Sequence, residues 1–341
     1  MTAQGAVSGT PFDPILAHQS SVFNGARLRD LQTFTREFLR RVPADELVAR
    51  SAEDWTAIAA GLLEFMQERQ PGRPRVRVTN PDAGSNGFGS ARTIVEVVTD
   101  DMPFLVDSVG MAIAGTGLAI HSVIHPVFRV ERDAQGRLQR LGPLEGGTGA
   151  TESIMHFEAE RTTAATDLDR LAKAVGEVLD DVRASVADWP AMRERMLALA
   201  NELPQRPMPV DAEGVSEAQD FLRWAADDNF TFLGYREYRV VKDGGDELLQ
   251  AVDRSGLGIL RGSERSLAPR SLRTLVAAGL PQSGSMDAII LTKTNARARV
   301  HRPGYMDYIG VLAFDAAGVP VSEQRFLGLF TTNAYMARPQ D

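Results

Sequence analysis

The chain has 341 residues, and its composition excludes several functional classes. It carries 45 acidic and 37 basic residues, so its net charge of -8 argues against nonspecific binding of nucleic acid or anionic membranes. The absence of cysteine excludes disulfides, thiolate chemistry and cysteine-based metal sites. Residues 1–10 lack the basic and apolar runs of a signal peptide, and no apolar run approaches the ~18–20 residues of a membrane span. We expect a cytoplasmic protein of two or three domains.

Two amphipathic helices are predicted near the N-terminus. Apolar residues recur at helical spacing in two groups, and Ser51 is a possible N-cap for the second. The groups are Leu28, Leu31, Phe34, Phe38 and Val42, then Trp55, Ile58, Leu62 and Phe65. We assign them to a helical segment over residues 1–72.

A β-α-β-β-α order follows over residues 73–188. The predicted elements are strand 94–99, a helix with Asp101 as N-cap and Pro103 in its first turn, strand 120–130, a strand around 155–159 and a helix from Thr166 to about Val186. This order is one strand short of the ferredoxin-like unit, and the extended residues near Val76 can supply the missing edge. Trp189-Pro190 then separates this helix from another, over 192–203.

The second half is predicted to be a mainly antiparallel α+β domain over residues 215–335. A helix and linker over 189–214 precede it, and residues 336–341 form a tail. Its predicted elements are helix 218–226, strands 230–241, 288–292, 298–301, 309–314 and 319–331, and helix 269–278. Turn signals at 243–245 and 315–318 favour antiparallel neighbours.

The acidic turn Asp100-Asp101 is the first candidate for a site. A capping carboxylate stabilises a helix by ~1 kcal/mol, and capping is the simpler interpretation. The N–H groups of a helix N-terminus also bind ligand carboxylates. The alternative is therefore an effector site that contains Asp100, Asp101, Met102, Phe104 and His121.

Histidines and carboxylates in two strands are the second candidate. His121 and His125 are four residues apart, but on a strand this is about 13 Å, too far for one metal ion at ~2 Å bonds. His156, Glu158 and Glu160 share a strand face and can meet that pair across the sheet, although an exposed polar face explains them equally well. We predict sheet-face residues and no metal site.

Cofactor and catalytic motifs are not recognisable in the sequence. The glycines of 256–262 are spaced one residue too widely for a dinucleotide fingerprint, and those of 84–89 have the spacings reversed. Both stretches are predicted loops. Walker A, nucleophile-elbow and zincin motifs are missing, so no catalytic, cofactor-binding or metal-binding residue is predicted.

A basic group is the densest polar cluster of the second half. It comprises Lys293, Arg297, Arg299, His301 and Arg302, followed by Tyr305, Asp307 and Tyr308. Arginine forks match carboxylate or phosphate effectors, so the group can hold an anion. The favoured interpretation is a solvated strand face that contacts another domain.

Six ordered stretches together resemble one family, the large bacterial NAD-specific glutamate dehydrogenases. They are TDDMPFLVDSV at 99–109, HPVF at 125–128, ESIMHFE at 152–158, DNFTFLGYR at 228–236, VHRPGYMDYIGV at 300–311 and FLGLFT at 326–331. The resemblance implies a regulatory N-terminal segment, with an ACT-like domain over about 73–188 and a PAS-like domain over about 215–335.

In that family the NAD-dependent dehydrogenase domain lies further downstream and converts L-glutamate to 2-oxoglutarate and ammonium. The resemblance therefore implies that domain as a partner within the same polypeptide. We also expect a homo-oligomer. The three lysines, Lys173, Lys242 and Lys293, lie outside any dinucleotide-binding setting, so we expect this chain itself to be catalytically silent.

Phe104 departs from the pattern that ACT domains use to bind amino acids. That pattern, D-x-P-G-x-L, has glycine where Asp101-Met102-Pro103-Phe104-Leu105 has phenylalanine, and the larger side chain obstructs approach to the backbone. The leading hypothesis is a regulatory region of the parent enzyme. The alternatives are a self-contained amino-acid sensor and a module that assembles without ligand.

Overall fold

The chain divides into two compact units, Met1–Leu179 and Asp180–Asp341. The computed structural model describes residues 10–243, 246–262 and 288–332. In these residues each unit contains a six-stranded sheet together with helices. The predicted α+β class is therefore confirmed.

Helices at the N-terminus pack together on the first sheet. They are α1 (Asp13–Val22), α2 (Gly25–Phe38), α3 (Ala44–Val48) and α4 (Ala52–Phe65). Ser51 caps α4 as predicted, because its Oγ accepts the N–H of Asp54 at 3.0 Å. Phe34 and Leu62 from these helices share a buried core with Phe128 of the sheet.

The first sheet has the order β1-β2-β6-β4-β5, and β3 also pairs with β6. The remaining elements of this unit are β1 (Arg75–Thr79), α5 (Ala83–Asn86), β2 (Thr93–Asp100), α6 (Leu105–Gly115), β3 (Ile120–Ile124), β4 (Val127–Arg132), β5 (Leu138–Pro143), β6 (Ala150–Ala159) and the start of α7 (Ala165–Glu202). Strand β1 pairs with β2 in antiparallel register, Val76 opposite Val97, so the extended residues near Val76 supply the edge strand.

The central strands of this sheet are buried on both faces. Val98 of β2 and Ile154 of β6 belong to the core of the N-terminal helices. Their neighbours Val97 and Met155 point to the opposite face and are fully buried as well. The central strands are therefore enclosed, which places the polar residues on them in a buried environment.

The predicted single strand over 120–130 is divided in two. Strand β3 ends at Ile124 and β4 begins at Val127, with His125 and Pro126 between them. Both pieces pair with β6, and the carbonyl of Pro126 still accepts the N–H of Ile154 at 3.0 Å. Proline has no N–H to donate, so it interrupts the ladder without removing the second piece from the sheet.

Helix α7 runs without interruption from Ala165 to Glu202, so the two predicted helices are one. Pro190 lies inside it and is exposed. Proline removes one helical N–H and its ring crowds the preceding turn. We attribute the continuity to burial on both sides of Pro190, since Val182 and Met192 are completely buried.

The second sheet is antiparallel, with the order β10-β11-β12-β7-β8, and β9 also pairs with β7. After a 3-10 turn (Leu203–Gln205), this unit contains α8 (Ala212–Trp224), an irregular turn (Ala225–Asn229), β7 (Phe230–Asp243), β8 (Asp246–Ala251), β9 (Leu257–Gly258), β10 (Ile289–Arg297), β11 (Tyr305–Phe314) and β12 (Pro320–Phe330). Helix α8 and the end of α7 share a core with the sheet that includes Met196, Leu222 and Phe326.

Some details of the second unit differ from the sequence prediction. Residues 298–301 do not form a strand, because the N–H of Ala298 bonds to the carbonyl of Gly304 and closes a turn. Strands β8 and β9 were not predicted. The predicted helix 269–278 lies outside the described residues, as do two residues of the predicted turn 243–245. The turn at 315–318 is confirmed, since Gly318 N–H donates to the carbonyl of Asp315 at 3.0 Å.

Candidate functional site

Asp100 ends β2 and is held by residues that precede β1. Arg69 Nη2 donates to Asp100 Oδ1 at 2.7 Å, and the N–H of Gly72 donates to Oδ2 at 2.9 Å. The same Arg69 nitrogen donates to Glu152 at 2.6 Å. Arg132 donates to Glu152 through Nε and Nη2, at 2.7 and 2.8 Å. Because Arg69 and Glu152 are buried, these charge-assisted bonds fix the start of the turn firmly.

Asp101 faces β6 through a chain of hydrogen bonds. Ser153 Oγ donates to Asp101 Oδ1 at 2.5 Å, and His125 Nε2 lies 3.1 Å from the same hydroxyl. Burial lowers the pKa of His125; Asp101 raises it, Arg41 lowers it, and the net shift is downward. A neutral imidazole can donate from Nε2 to Ser153 Oγ while that hydroxyl donates to Asp101. His125, Ser153 and Asp101 are then all hydrogen-bonded. Asp101 is thus engaged within the chain.

Helix α6 starts at Leu105, so the prediction that Asp101 is its N-cap is wrong, and Pro103 precedes the first turn. The N-cap is Phe104, whose φ of 73° is left-handed and whose side chain does not cap the helix. The backbone is therefore that of a glycine position, although it costs an L-residue about 1–2 kcal/mol. Asp101 reaches Ser153 instead, because β6 lies directly beside β2.

A cleft of about 810 Å³ lies beside β3. It is lined by the end of α2 and the residues that follow it, by β3 and by parts of α3, α6 and the chain after β5. His121 lines this cleft, and Arg92 Nη1 donates to its Nε2 at 2.8 Å. The other four predicted effector residues do not line it, and Met102 is half-buried in the turn. The structure therefore does not gather the five residues into one pocket.

A buried charge cluster was not predicted from the sequence. His156 of β6 is fully buried, with Nδ1 at 3.3 Å from Glu96 and Nε2 at 3.7 Å from Glu158. Arg77 pairs with Glu96 at 2.6 Å and Arg50 with Glu158 at 2.7 Å. The explanation of His156 and Glu158 as an exposed polar face is therefore wrong, because the N-terminal helices cover that face. The alternation of apolar and polar residues along β6 does not show that helices cover this face.

Burial and ion pairing oppose each other in this cluster. Burial lowers the pKa of His156, but Glu158 and Glu96 together outweigh it and the net shift is upward. For Glu158, burial raises the pKa, yet His156 and Arg50 bring it down to about 2. The cluster thus favours a protonated imidazole between two carboxylates.

In the second unit, the predicted basic group is divided among separate intrachain contacts. Lys293 Nζ lies 2.5 Å from Asp307 Oδ1, and the other Asp307 oxygen accepts the N–H of Phe330 at 3.1 Å. Arg302 Nη2 donates to the carbonyl of Phe330 at 2.8 Å. Asp307 and Arg302 therefore both hold the end of β12.

The remaining members of the group contact other residues of the same unit. The guanidinium of Arg297 stacks over Tyr305 at 5.1 Å from the ring centroid. Arg299 lies 3.6 Å from the buried Asp181 of α7. His301 occupies a left-handed position, with φ of 77°. Arg297, Arg299 and Arg302 therefore contact separate residues of the chain and do not converge on one point where an anion could bind.

The part of the chain that the structure describes contains no candidate metal-ligand cluster and no candidate membrane-spanning helix. Residues 10–243, 246–262 and 288–332 contain no group of three or more His, Asp or Glu residues placed to hold a metal ion. Within the same ranges, none of the helices combines the length and apolar character needed to cross a bilayer.

The first unit has a distinctive architecture. An enclosed β-α-β-β-α sheet takes its edge strand from upstream, and a fixed acidic turn leads into α6. These features define an ACT-like α+β domain, followed by a mainly antiparallel α+β unit. Residues 34–175 match the family model described as the ACT1 domain of glutamate dehydrogenase.

Similarity extends well beyond this domain. The chain is 36% identical over 315 residues to the NAD-specific glutamate dehydrogenase of Halomonas elongata, which covers 92% of this chain and 20% of the relative. It is 33% identical over 312 residues to the enzyme of Pseudomonas aeruginosa, and the alignment covers 90% of this chain and 19% of that relative. It is 30% identical over 260 residues to the enzyme of Mycobacterium tuberculosis, and the alignment covers 74% of this chain and 14% of that relative. Most of the chain is therefore similar to part of NAD-specific glutamate dehydrogenases, and it spans about a fifth of the length of the first two relatives.

Proposed function

We propose that this chain is a regulatory and assembly region of an NAD-dependent glutamate dehydrogenase whose dehydrogenase domain belongs to the same polypeptide. The ACT1 match over residues 34–175 carries the proposal, together with similarity to only a fifth of the relatives' length. The parent enzyme then converts L-glutamate, NAD and water to 2-oxoglutarate, ammonium and NADH. NAD is its cofactor, bound outside this region.

The region itself is proposed to be catalytically silent. Several of its buried charged groups form ion pairs that hold elements of the fold, as Arg69 does with Asp100 and Glu152. Purified 341-residue chain incubated with glutamate and NAD should produce no absorbance of NADH. Glutamate-dependent NADH formation by this chain would overturn the proposal.

A regulatory role predicts that disturbing the fixed turn alters the parent enzyme. In the polypeptide that contains this region, Arg69→Ala releases Asp100 and should change the KM or kcat of glutamate oxidation. Arg137→Ala is the matched control, because its pair with Glu68 is 3.7 Å long and exposed. Equal kinetics for the wild type and Arg69→Ala, with the variant still folded, would count against regulation through this turn.

An amino-acid effector at the β2–α6 turn is the second candidate. The observation in its favour is that Phe104, the N-cap of α6, provides no side-chain cap, and helix N-termini attract carboxylates. Against it, Asp100 and Asp101 already accept hydrogen bonds from Arg69 and Ser153. We therefore favour assembly and interdomain contact over effector binding at this turn.

Thermal unfolding separates the two candidates. An effector present at 100 times its Kd stabilises the folded chain by about 2.7 kcal/mol. For units of this size the melting temperature should then rise by several degrees. If none of the twenty amino acids shifts the melting temperature, the effector hypothesis is excluded and the assembly role stands.

A further inference from the structure

Strand β10 forms one edge of the second sheet. It pairs with β11 on one side, with Leu291 opposite Ile309 and Lys293 opposite Asp307. On its other side, no strand among the residues that the structure describes pairs with it. It has nine residues, whereas the edge strands β1, β5 and β8 have five or six. This length gives an added strand room to pair.

The backbone groups that face the open side belong to alternate residues of β10. The N–H of Leu312 donates to the carbonyl of Ala288 at 3.1 Å, so these two residues form a hydrogen-bonded pair. Bonded and non-bonded pairs alternate along an antiparallel ladder, and a non-bonded pair directs its N–H and C=O groups outward. By this alternation Ile289, Leu291 and Lys293 offer their backbone groups to a further strand.

The side chains on one face of this edge combine apolar surface with positive charge. Leu291 and Tyr305 are each 50% exposed. Lys293 and Arg297 lie on the same face and are exposed as well, because Arg297 is directly opposite Tyr305. The guanidinium of Arg297 rests on the ring of Tyr305, which leaves its N–H groups able to donate to a carboxylate.

The charge of β10 selects the partner. Its sequence, Ile-Ile-Leu-Thr-Lys-Thr-Asn-Ala-Arg, has a lysine and an arginine but no carboxylate, although the whole chain has a net charge of -8. Charged residues on an edge discourage pairing with further copies of the same edge. Complementary charges favour the correct partner, so this edge suits a strand of negative charge.

We propose that β10 binds an extended acidic segment of the same polypeptide, which adds to the second sheet as an antiparallel strand. Apolar residues of the segment cover Leu291, and its carboxylates meet Lys293 and Arg297. About four fifths of the length of the first two relatives lies outside the match, so most of the parent polypeptide is available to supply the segment. This inference rests on the proposed function and specifies its interdomain contact as strand addition.

A synthetic peptide tests the binding. The probe is Glu-Thr-Glu-Thr-Val-Thr-Val with capped ends and a fluorophore, which in antiparallel register sets valine opposite Leu291 and glutamate opposite Lys293. Fluorescence anisotropy with the 341-residue chain should show saturable binding, and Lys-Thr-Lys-Thr-Val-Thr-Val should bind about tenfold more weakly or not at all. Arg297→Glu should weaken binding of the acidic peptide about tenfold. Arg140→Glu is the matched control, since Arg140 is exposed on the edge strand β5.

Leu291→Pro distinguishes strand addition from simple attraction between charges. The N–H of Leu291 points away from β11, so proline removes a donor that only the added strand uses. Binding should fall about tenfold more in Leu291→Pro than in Leu291→Ala, which keeps the N–H. A peptide N-methylated at the valine opposite Leu291 blocks the reciprocal bond without altering the protein, and it should bind as weakly.

Hydrogen exchange in the complete polypeptide tests the source of the segment. Residues 289–293 should exchange about tenfold more slowly there than in the 341-residue chain, because the added strand protects their outward N–H groups. Failure of the acidic peptide to bind, binding insensitive to both Leu291→Pro and N-methylation, or equal exchange of residues 289–293 in the two proteins would each overturn the proposal. None of these measurements uses enzyme activity, so their failure is distinct from a failure of the proposed catalytic silence.

Discussion

Glu96 and His156 lie directly opposite each other on β2 and β6, with the imidazole Nδ1 at 3.3 Å from the carboxylate. Both are buried, on central strands that are covered on their two faces. Arg77 pairs with Glu96 on one side, and Glu158 with Arg50 lies on the other. Because buried charges need partners, the stability of the first unit depends on the protonation of this cluster.

The stability of the first unit should decrease as the pH rises above neutrality. The folded-state pKa of His156 lies above its ordinary value of 6.5, so its contribution is complete below about pH 6.5 and is lost as the pH rises through the folded pKa. Glu158 has the opposite sign. Its pKa is lowered from 4.5 to about 2, so its contribution is present above pH 4.5 and is lost as the pH falls towards 2. The stability of the first unit is therefore expected to be greatest between about pH 4.5 and pH 6.5.

The dependence of stability on pH can be measured by hydrogen exchange of peptides from β2 and β6. The measurement runs from pH 4 to 9 and is corrected for intrinsic exchange. His156→Gln keeps a polar side chain but does not titrate, and it should flatten the alkaline decline. Loss of the decline in a His121→Gln control instead would assign it to the exposed histidine. An unchanged profile in His156→Gln would contradict the prediction.

Arg69→Ala should destabilise the first unit by about 3–5 kcal/mol. The change leaves Glu152 buried without one of its two arginines and releases Asp100 from the turn. Arg137→Ala, at an exposed pair, should cost less than about 1 kcal/mol. Urea unfolding of both variants measures the difference, and similar midpoints for the two would refute the assignment.

Phe104→Gly should be more stable than Phe104→Ala by about 1 kcal/mol. Both variants remove the ring, but only glycine relieves the left-handed backbone at φ 73°. At Val106, inside α6, the order should reverse, because glycine is less favourable than alanine in a helix by about 1 kcal/mol. Thermal unfolding of the four variants tests this, and the same order at both positions would contradict the left-handed conformation of Phe104.

Asp307→Ala should be more destabilising than Lys293→Ala. Asp307 is buried and accepts the N–H of Phe330 as well as the ammonium of Lys293. Its loss leaves a partly buried N–H without its partner, at a cost of about 1–3 kcal/mol. Lys293 is largely exposed, so its removal should cost about 1 kcal/mol or less. Equal losses in urea unfolding would show that the ion pair, not the N–H, dominates.

Local patterns in the sequence predicted many of the elements and the resemblance to glutamate dehydrogenases. Ser51 predicted the start of α4, and the apolar spacing of Phe34 and Phe38 predicted the buried face of α2, because capping and periodicity are local properties. The ferredoxin-like order and the upstream edge strand followed from the same reasoning. The run from Thr99 to Val109 indicated glutamate dehydrogenase, although it did not reveal where α6 begins.

Only the tertiary structure decided the environment of the polar residues. The sequence placed His156 and Glu158 on one strand face, but whether that face meets water depends on the N-terminal helices, which lie far earlier in the chain. Asp101 bonds to Ser153 rather than capping α6, because β6 returns beside β2 from about 50 residues away. Periodicity fixes which residues share a strand face. Long-range packing determines what covers that face, and hence the protonation of the titratable side chains on it. The open edge of β10 has the same origin, since strand pairing is a contact between distant segments.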